Sequence, residues 1–360
     1  MFLDVIKKIF STEDSQTNYF YYEDNNTPTK QRQEQEISAF QKQLTTPPKT
    51  NKIVDEHHHQ QAFYDYLFGE SSSEQAHDEL SLYVANKINE LISEPNQILS
   101  TLPALPASLG NMLTQLNNEE FDANLIINLI ELEPAIAAKV IELANSAYYN
   151  KSEKEITDLK SAFMLLGVNG LIEGVLNGFV SQFTPQSQAY FRQYGSKIWQ
   201  HSLSTANIAK QLILASNDKS SAATGYLIGL ISNLGEMIIY QLLTQAFSYV
   251  HPDYQPNSLA FKELMISHAK RITYLTAKHW QFPPSILSAL ALQSKIHQAS
   301  TLKTLFPQNP IACYIYEASM ISELLIKYDH KLIDKDYLSQ ASELLIFSEQ
   351  AKNYLSEHAQ

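Results

Sequence analysis

The sequence predicts an all-α protein built from two consecutive helical units. Glycine supplies only 10 of the 360 residues, well under the usual share of about 7%, which argues against a turn-rich β protein. Apolar residues recur every three or four positions from residue 78 almost to the C-terminus, as amphipathic helices require. A length of 360 residues suggests two structured units plus tails, at roughly 150 residues per domain.

The charge balance and the cysteine content narrow the cellular setting. The chain has 26 basic and 38 acidic residues, a net charge of -12, so the clustered cations that bind phosphate backbones or anionic lipid are not expected. Cys313, the one cysteine of the sequence, cannot form an intramolecular disulfide, which fits a reducing compartment. The N-terminus lacks the basic region and cleavage site of a signal peptide. We therefore expect a cytoplasmic protein without nucleic-acid or membrane partners.

Residues 1–76 are predicted to form a polar, weakly ordered appendage. Residues 11–60 are rich in Gln, Asn, Thr, Ser, Glu and Lys and show no sustained helical period. Two aromatic islands, Tyr19–Tyr22 and Phe63–Phe68, could dock on a partner, but we expect them to pack on this chain's own surface. The histidines His57–His59 are expected to be solvated, because consecutive side chains on a flexible segment cannot converge on one metal ion.

The first helical unit is assigned to residues 77–185. Its first helix is predicted by four apolar residues at helical spacing: Leu80, Val84, Ile88 and Leu91. Asp122 is a good N-cap for a later helix, and Pro134 fits the first turn of the next one. That helix should stop near Asn145, a residue type that accepts turn conformations.

A glycine-lined helix follows, with Gly170, Gly174 and Gly178 spaced by four residues. This spacing puts all three on one face, so a second helix can approach that face closely. The window 162–180 and the later window 226–243 are the most apolar stretches of the chain, but polar residues interrupt both. Because such groups are costly in hydrocarbon, both windows are predicted to be buried core helices and not membrane spans.

The second helical unit is assigned to residues 186–328, after a joint at Pro185–Tyr194. Its helices are predicted at about 196–215, 221–248, 258–280, 285–297 and 310–328, with prolines between several of them. Residues 329–360 should close the fold with further helix.

Ordered motifs in both units resemble those of the HDOD domain family. They cover roughly residues 80–325, and several motifs in the right order are more specific than any single short pattern. The motifs are Leu102–Ala107 (LPALPA), Glu133–Ala147 (EPAIAAKVIELANSA), Leu165–Gly167 (LLG), Trp199–Ser202 (WQHS), Gly229–Gly235 (GLISNLG) and Ser267–Ala269 (SHA) with Trp280.

The resemblance implies a relation to HD hydrolases, which hold a divalent metal ion through a His, an adjacent His-Asp pair and a later Asp. Neutral imidazoles and carboxylates bind the ion, which lowers the pKa of the attacking water. Here a serine and an asparagine replace the adjacent pair, and Gln293-Ser294 replaces the family's frequent His-His pair. No residue is assigned as catalytic, cofactor-binding or metal-ligating. The resemblance implies five residues for a vestigial pocket: His201, Ser232, Asn233, His268 and Glu317.

Three of these five residues keep good metal-ligand chemistry. His201 stands where the first His is expected, Glu317 lies near the place of the later Asp, and His268 matches an accessory His of the wider superfamily. His268 also falls on an apolar stripe, where a hydrogen-bonded core histidine is the more common meaning. A weak divalent metal site built from these three residues stays open as an alternative.

The resemblance implies a bacterial signal-transduction or regulatory protein that acts through protein–protein binding. Its HD-like half would be catalytically degenerate, so we expect no enzymatic activity and no cofactor. The alternatives are a metal-dependent phosphohydrolase acting on a nucleotide or cyclic dinucleotide, and a small-ligand sensor that uses the vestigial pocket. We expect the folded domain, and not residues 1–76, to recognise the protein partner, and a homo-oligomer is a further option.

Overall fold

The computed structural model describes residues 2–11, 56–68, 79–115, 122–152, 154–183, 189–250, 259–296 and 299–359. Every regular secondary-structure element in these ranges is helical, so the all-α prediction is confirmed. The first aromatic island, Tyr19–Tyr22, lies outside the described residues.

The first part of the chain contains eight of the described α-helices. They are α1 (Leu3–Ser11), α2 (Glu56–Phe68), α3 (Glu79–Ser93), α4 (Asn96–Leu99), α5 (Ala107–Gln115), α6 (Ala123–Glu131), α7 (Pro134–Ala144) and α8 (Leu159–Val180). A 3-10 turn, Ser181–Phe183, follows α8.

The second part of the chain continues with helices that carry most of the candidate pocket residues. They are α9 (Ala189–Leu214), α10 (Ala222–Ile231), α11 (Leu234–Val250), α12 (Leu259–His279), α13 (Pro284–Gln293), α14 (Leu302–Leu305), α15 (Pro310–Asp329), α16 (Lys335–Leu345) and α17 (Glu349–His358). α9 packs against α10 and α15, and α11 packs against α12.

The helix boundaries follow the predicted local signals. The side chain of Asp122 accepts a hydrogen bond of 3.0 Å from the backbone N–H of Leu125, and Pro134 occupies the first turn of α7. Asn145 is the residue at which α7 ends. Its Oδ1 accepts from the N–H of Ile156 at 2.8 Å, and its Nδ2 donates to the Ile156 carbonyl at 2.7 Å. These predictions are confirmed, and Asn145 also fixes the loop that leads to α8.

The glycine face of α8 meets α7, as predicted, at two of its three positions. A Cβ atom on Gly174 would lie 2.9 Å from Cγ2 and 3.0 Å from Cα of Val140. A Cβ atom on Gly178 would lie 3.0 Å from Cα of Ile136. Real Cβ atoms essentially never come under 3.0 Å from a neighbour, so a larger residue at Gly174 would push the two helices apart.

The third glycine, Gly170, has a different neighbour. Its closest contact is Leu166 of its own helix, with Cβ of Leu166 at 2.7 Å from the position of an added Cβ. One turn earlier, Gly167 adopts φ 67° and ψ -172°, which interrupts the helical path of α8. This left-handed φ favours glycine, so α8 is two helical segments joined at Gly167 and not one straight helix.

Two stretches of the described chain are long and apolar enough to cross a membrane, namely Leu159–Phe183 and Lys219–Phe247. Within them, 61% and 83% of the apolar windows are buried inside the structure. This burial agrees with the prediction of core helices and is compatible with a soluble protein. Cys313 is buried as well, and burial raises the pKa of its thiol to about 12, with the charge of Glu317 adding to the effect.

The N-terminal region differs from the expectation of a weakly ordered appendage. Ile6 and Phe10 of α1 and Phe2 just before it are buried, and α1 packs against α11. α2 buries Phe63 and Leu67, among others, and lies against α9, α12 and α15. The apolar residues of each helix recur every four positions, but these patterns are short and the surrounding composition is polar. The second aromatic island packs on its own chain, as predicted.

Candidate functional site

A cavity of about 780 Å³ lies where the HD-like resemblance places its pocket. It is bounded by α2, the α10–α11 turn, α11, α12, α13 with the residues that follow it, and α15. The polar residues that line it include Ser232, Asn233, Glu236, Lys270, Ser319 and Glu323. Two of the five residues implied by the resemblance, Ser232 and Asn233, therefore line the cavity itself.

The turn that carries Ser232 and Asn233 is held by contacts between its backbone and residues of α12. The Ser232 hydroxyl donates to the Gly229 carbonyl at 2.7 Å. Thr273 of α12 joins both ends of the turn, because its hydroxyl donates to the Ser232 carbonyl at 3.1 Å and accepts from the Gly235 N–H at 2.8 Å. A Cβ atom on Gly235 would lie only 1.8 Å from the carbonyl oxygen of Ala269. This close approach requires glycine at position 235.

Asn233 is almost fully buried, with 6% of its surface exposed. Its Nδ2 has no hydrogen-bond partner among the described residues. An asparagine amide is neutral and, unlike an aspartate, does not supply a charged oxygen ligand.

His201 of α9 lies beside the cavity, with 1% of its surface exposed. Its Nδ1 is 2.9 Å from Oγ of Ser322, and its Nε2 is 3.4 Å from Oγ of Ser319. Oε1 of Glu323 lies 4.0 Å from Nε2 of His201. Burial lowers the pKa of His201 to about 4, although the negative charge of Glu323 acts in the opposite direction. The imidazole is therefore neutral at pH 7.

His59 of α2 is also buried, with no exposed surface, so the expectation of a solvated tract is wrong for this residue. Lys327 Nζ donates to His59 Nδ1 at 2.7 Å. Because Nδ1 accepts a hydrogen bond from the ammonium, the ring proton of a neutral His59 lies on Nε2. Nε2 lies 3.1 Å from Oε2 of Glu323. A line of contacts thus joins Lys327, His59 and Glu323 next to His201.

Lys327 and Glu323 stabilise each other's charged forms. Burial alone would raise the pKa of Glu323, but the His59 hydrogen bond, the two neighbouring imidazoles and the charge of Lys327 outweigh it and lower that pKa. Burial lowers the pKa of Lys327 to about 8, and Glu323 opposes that shift. The carboxylate beside His201 is therefore Glu323, which the sequence reasoning missed.

α2 also covers the second carboxylate of the cavity. The Tyr64 hydroxyl donates to Oε1 of Glu236 at 2.9 Å, and the Phe63 ring lies 4.8 Å from the His201 ring, centroid to centroid. Burial raises the pKa of Glu236 to about 7, with Glu323 acting in the same direction and Tyr64 and Lys270 in the opposite one. Oε2 of Glu236 has no hydrogen-bond partner among the described residues.

Glu317 does not join the pocket. It is fully buried and accepts hydrogen bonds from the backbone N–H groups of Phe347 and Ser348 at 2.8 and 2.7 Å, and from the Ser348 hydroxyl at 2.5 Å. The side chain of Ser348 in turn caps α17. Glu317 therefore anchors the start of the last described helix. It lies on another face of α15 from Ser319 and Glu323, because helical positions turn by about 100° per residue.

His268 is not among the residues that line the cavity, although its chain neighbours Ser267 and Ala269 are. It is partly exposed on α12. Its pKa is lowered by burial and, to a smaller extent, by the charge of Arg271. Gln293 does line the cavity, but its Nε2 donates to the Ala312 carbonyl at 2.5 Å and so ties α13 to α15.

The resemblance leaves open a divalent metal ion held by His201, His268 and Glu317. Among the described residues, no group of three or more His, Cys, Asp and Glu side chains is placed to hold a metal ion. His201, His268 and Glu317 lie in three separate surroundings, and zinc ligands bind at about 2.0–2.2 Å from the ion. The residues present do not fit a metal centre of the HD type.

Both the sequence and the fold are similar to those of known proteins. The HDOD domain model matches residues 102–296, which is more than half of the chain. An uncharacterized protein of Treponema pallidum (strain Nichols) is 23% identical over 208 residues. That match spans 56% of this chain and 39% of the relative's length.

Two solved structures are similar to this chain in part. An HDOD domain protein from Geobacter sulfurreducens is 17% identical, with a TM-score of 0.49 over 78% of this chain and 89% of the other. A candidate metal-dependent phosphohydrolase from Shewanella amazonensis SB2B is also 17% identical, with a TM-score of 0.49 over 76% of this chain and 99% of the other.

Proposed function

The chain belongs to the HDOD domain family, and we propose that it is a bacterial, cytoplasmic regulatory protein that binds other proteins and does not hydrolyse phosphate esters. Family membership supports a regulatory or signalling role. The two finer parts of the proposal, catalytic silence and protein binding, have separate support and separate tests.

The Ser232-Asn233 pair carries the first part. In HD chemistry, the adjacent His and Asp hold the ion that activates water. Here the Ser232 hydroxyl donates to a backbone carbonyl, and the Asn233 amide brings no charge. The retained His201 is 4.0 Å from the nearest carboxylate oxygen, on Glu323, and both of its ring nitrogens face serine hydroxyls.

Purified full-length protein should show no hydrolysis of phosphomonoesters, phosphodiesters or cyclic dinucleotides with manganese, iron, nickel or magnesium supplied. The matched variant is His201→Ala, which removes the retained imidazole. Turnover in the wild type that disappears in His201→Ala would contradict the proposal.

Exposed apolar side chains support the second part. The most exposed large apolar side chains among the described residues are Met164, Leu132 and Tyr148, at 80%, 79% and 69%. All three belong to the first helical unit, on α8, at the end of α6 and after α7. Large apolar side chains that remain this exposed are candidate contact residues for a protein partner.

Protein binding is tested with Leu132→Ser combined with Met164→Ser. The control is Leu344→Ser combined with Phe347→Ser, which removes exposed apolar side chains elsewhere, at 59% and 42% exposure. Proteins that purify with the wild type from its native cell should be lost with the first pair and kept with the second. Equal recovery with both pairs would contradict the assignment of this surface.

Deletion of residues 1–76 is not a usable test of partner binding. It would remove α1 and α2 and uncover the cavity and the surfaces on which Phe2, Ile6, Phe63 and Leu67 are buried. Loss of binding by such a chain would report loss of the fold.

A further inference from the structure

Three lysines on three different helices meet α2. Lys197 of α9 donates to the Tyr66 carbonyl at 2.9 Å and lies 4.1 Å from the centroid of its ring. Lys262 of α12 lies 2.5 Å from Oδ1 of Asp65, and Lys327 of α15 donates to His59. We call the surface around Lys197, Lys262 and Lys327 the lysine groove. All three lysines contact α2, whose sequence carries two carboxylates and no lysine or arginine.

The side chains that α2 places in this groove follow a compact pattern. Phe63, Tyr64 and Leu67 are buried, at 2%, 7% and 0% exposure. Asp65 supplies the carboxylate for Lys262. The groove thus receives two consecutive aromatic residues, a carboxylate one position later and an aliphatic residue two positions after that. The fully buried residues His59, Phe63 and Leu67 recur every four positions, as the anchors of a helix held in a groove do.

The buried face under α2 is incompletely satisfied. Asn233 Nδ2 and Glu236 Oε2 are both buried without a hydrogen-bond partner among the described residues, and such atoms cost free energy that water would relieve. α2 itself has 13 residues, and a helix of this length is marginal on its own in water. α2 therefore depends on its contacts with α9, α12 and α15 for its helical structure.

We propose that the lysine groove is a docking site for an acidic amphipathic helix of a partner protein, and that α2 occupies the groove when that partner is absent. α2 is joined to the chain at both ends, so it competes at high effective concentration and the partner must bind more tightly than α2 does. The groove is separate from the surface around Leu132 and Met164. The inference therefore goes beyond the proposed function, and either can fail alone.

The first experiment measures competition between α2 and a free copy of itself. The probe is a fluorescent peptide with the sequence of residues 56–68, EHHHQQAFYDYLF, titrated into the full chain and followed by fluorescence anisotropy. Asp65→Lys in the chain places two cations together and weakens the attached helix. The peptide should bind this variant at least about tenfold more tightly than the wild type, because the attached competitor is weakened.

A charge swap and a matched control identify the groove. In the double variant Asp65→Lys, Lys262→Glu the attached helix regains its ion pair, while the peptide's own aspartate is repelled, so peptide affinity should return to the wild-type level or below. Asp336→Lys, an exposed charge reversal on α16, should bind the peptide as the wild type does. Leu132→Ser with Met164→Ser should also leave peptide binding unchanged.

Equal peptide affinity for the wild type and Asp65→Lys overturns the proposal, as does full affinity in the double variant. If Asp65→Lys does not fold by circular dichroism, hydrogen exchange of the wild type decides instead. The amides of α2 should then exchange at least about tenfold faster than those of the buried α10. Equal protection of the two helices would overturn the proposal.

Discussion

The contact between α7 and α8 and the contact between α2 and the lysine groove are built from different chemistry. At Gly174 and Gly178, two backbones approach closely against the apolar side chains Val140 and Ile136. Under α2, lysines, a histidine and two carboxylates lie among aromatic rings. The strength of the first contact depends on shape, whereas the strength of the second depends also on which groups are ionised. One contact is suited to permanent packing and the other to exchange.

The largest expected effect comes from removing the buried cation of the groove. Lys327→Met should lower the free energy of unfolding by about 3 kcal/mol or more, because it leaves Glu323 buried without its positive partner. The control is Lys352→Met, whose partner Glu343 is exposed and where a change within about 1 kcal/mol is expected. Urea denaturation of both variants checks this, and equal losses would contradict the assigned role of Lys327.

The next effect depends on pH. The pKa of Glu236 in the folded chain is raised to about 7 from its ordinary 4.5, so its stabilising contribution is full below pH 4.5 and is lost as the pH rises through 7. Glu236→Gln cannot ionise. Its stability relative to the wild type should therefore increase between pH 5 and pH 8 by up to about 3 kcal/mol. Denaturation curves measured across this range should diverge, and parallel pH profiles would contradict the assignment.

A smaller loss is expected in the permanent contact. Gly174→Leu should reduce the free energy of unfolding by about 1 to 3 kcal/mol or more, because the new side chain meets the backbone of Val140. Gly110→Ala is the control, since the nearest atom to an added Cβ there is 4.0 Å away. An unchanged melting temperature for Gly174→Leu would show that α7 does not press on this face. The loss at Gly174 should not vary between pH 5 and pH 8.

The smallest effect is expected at His268. This residue is partly exposed and does not line the cavity, so His268→Ala should change the free energy of unfolding by less than about 0.5 kcal/mol. It should also leave binding of the α2 peptide unchanged. A decrease in the free energy of unfolding as large as that of Lys327→Met would contradict the placement of His268 outside the site.

The sequence predicted most of the first helical unit because its signals are local. Asp122, Pro134 and Asn145 act on backbone groups a few residues away, and the spacing of Gly174 and Gly178 defines a helix face without knowledge of the partner helix. The same reasoning failed for α2. Its apolar positions repeat only over two turns, and the polar residues around them dominated the composition of residues 11–60.

The choice between Glu317 and Glu323 shows what local signals leave open. Both carboxylates lie on α15, and this helix is buried on most of its surface, so its hydrophobic pattern does not reveal which face meets the cavity. Glu317 is satisfied by residues thirty positions later, Phe347 and Ser348, and Glu323 by a histidine far earlier, His59. These partners are set by tertiary packing, which a single sequence does not display.

In the turn at 232–235, the contacts that hold the backbone in place differ from the side chains that face the cavity. Gly235 lodges against the Ala269 carbonyl, and Thr273 binds backbone groups at both ends of the turn. Neither restraint involves the side chain of Ser232 or Asn233. Substitutions at positions 232 and 233 can therefore add or remove catalytic groups while the contacts of Gly235 and Thr273 keep the turn in place. Protein engineering has the same freedom, because new functional groups installed at 232 and 233 would project from an unmoved backbone.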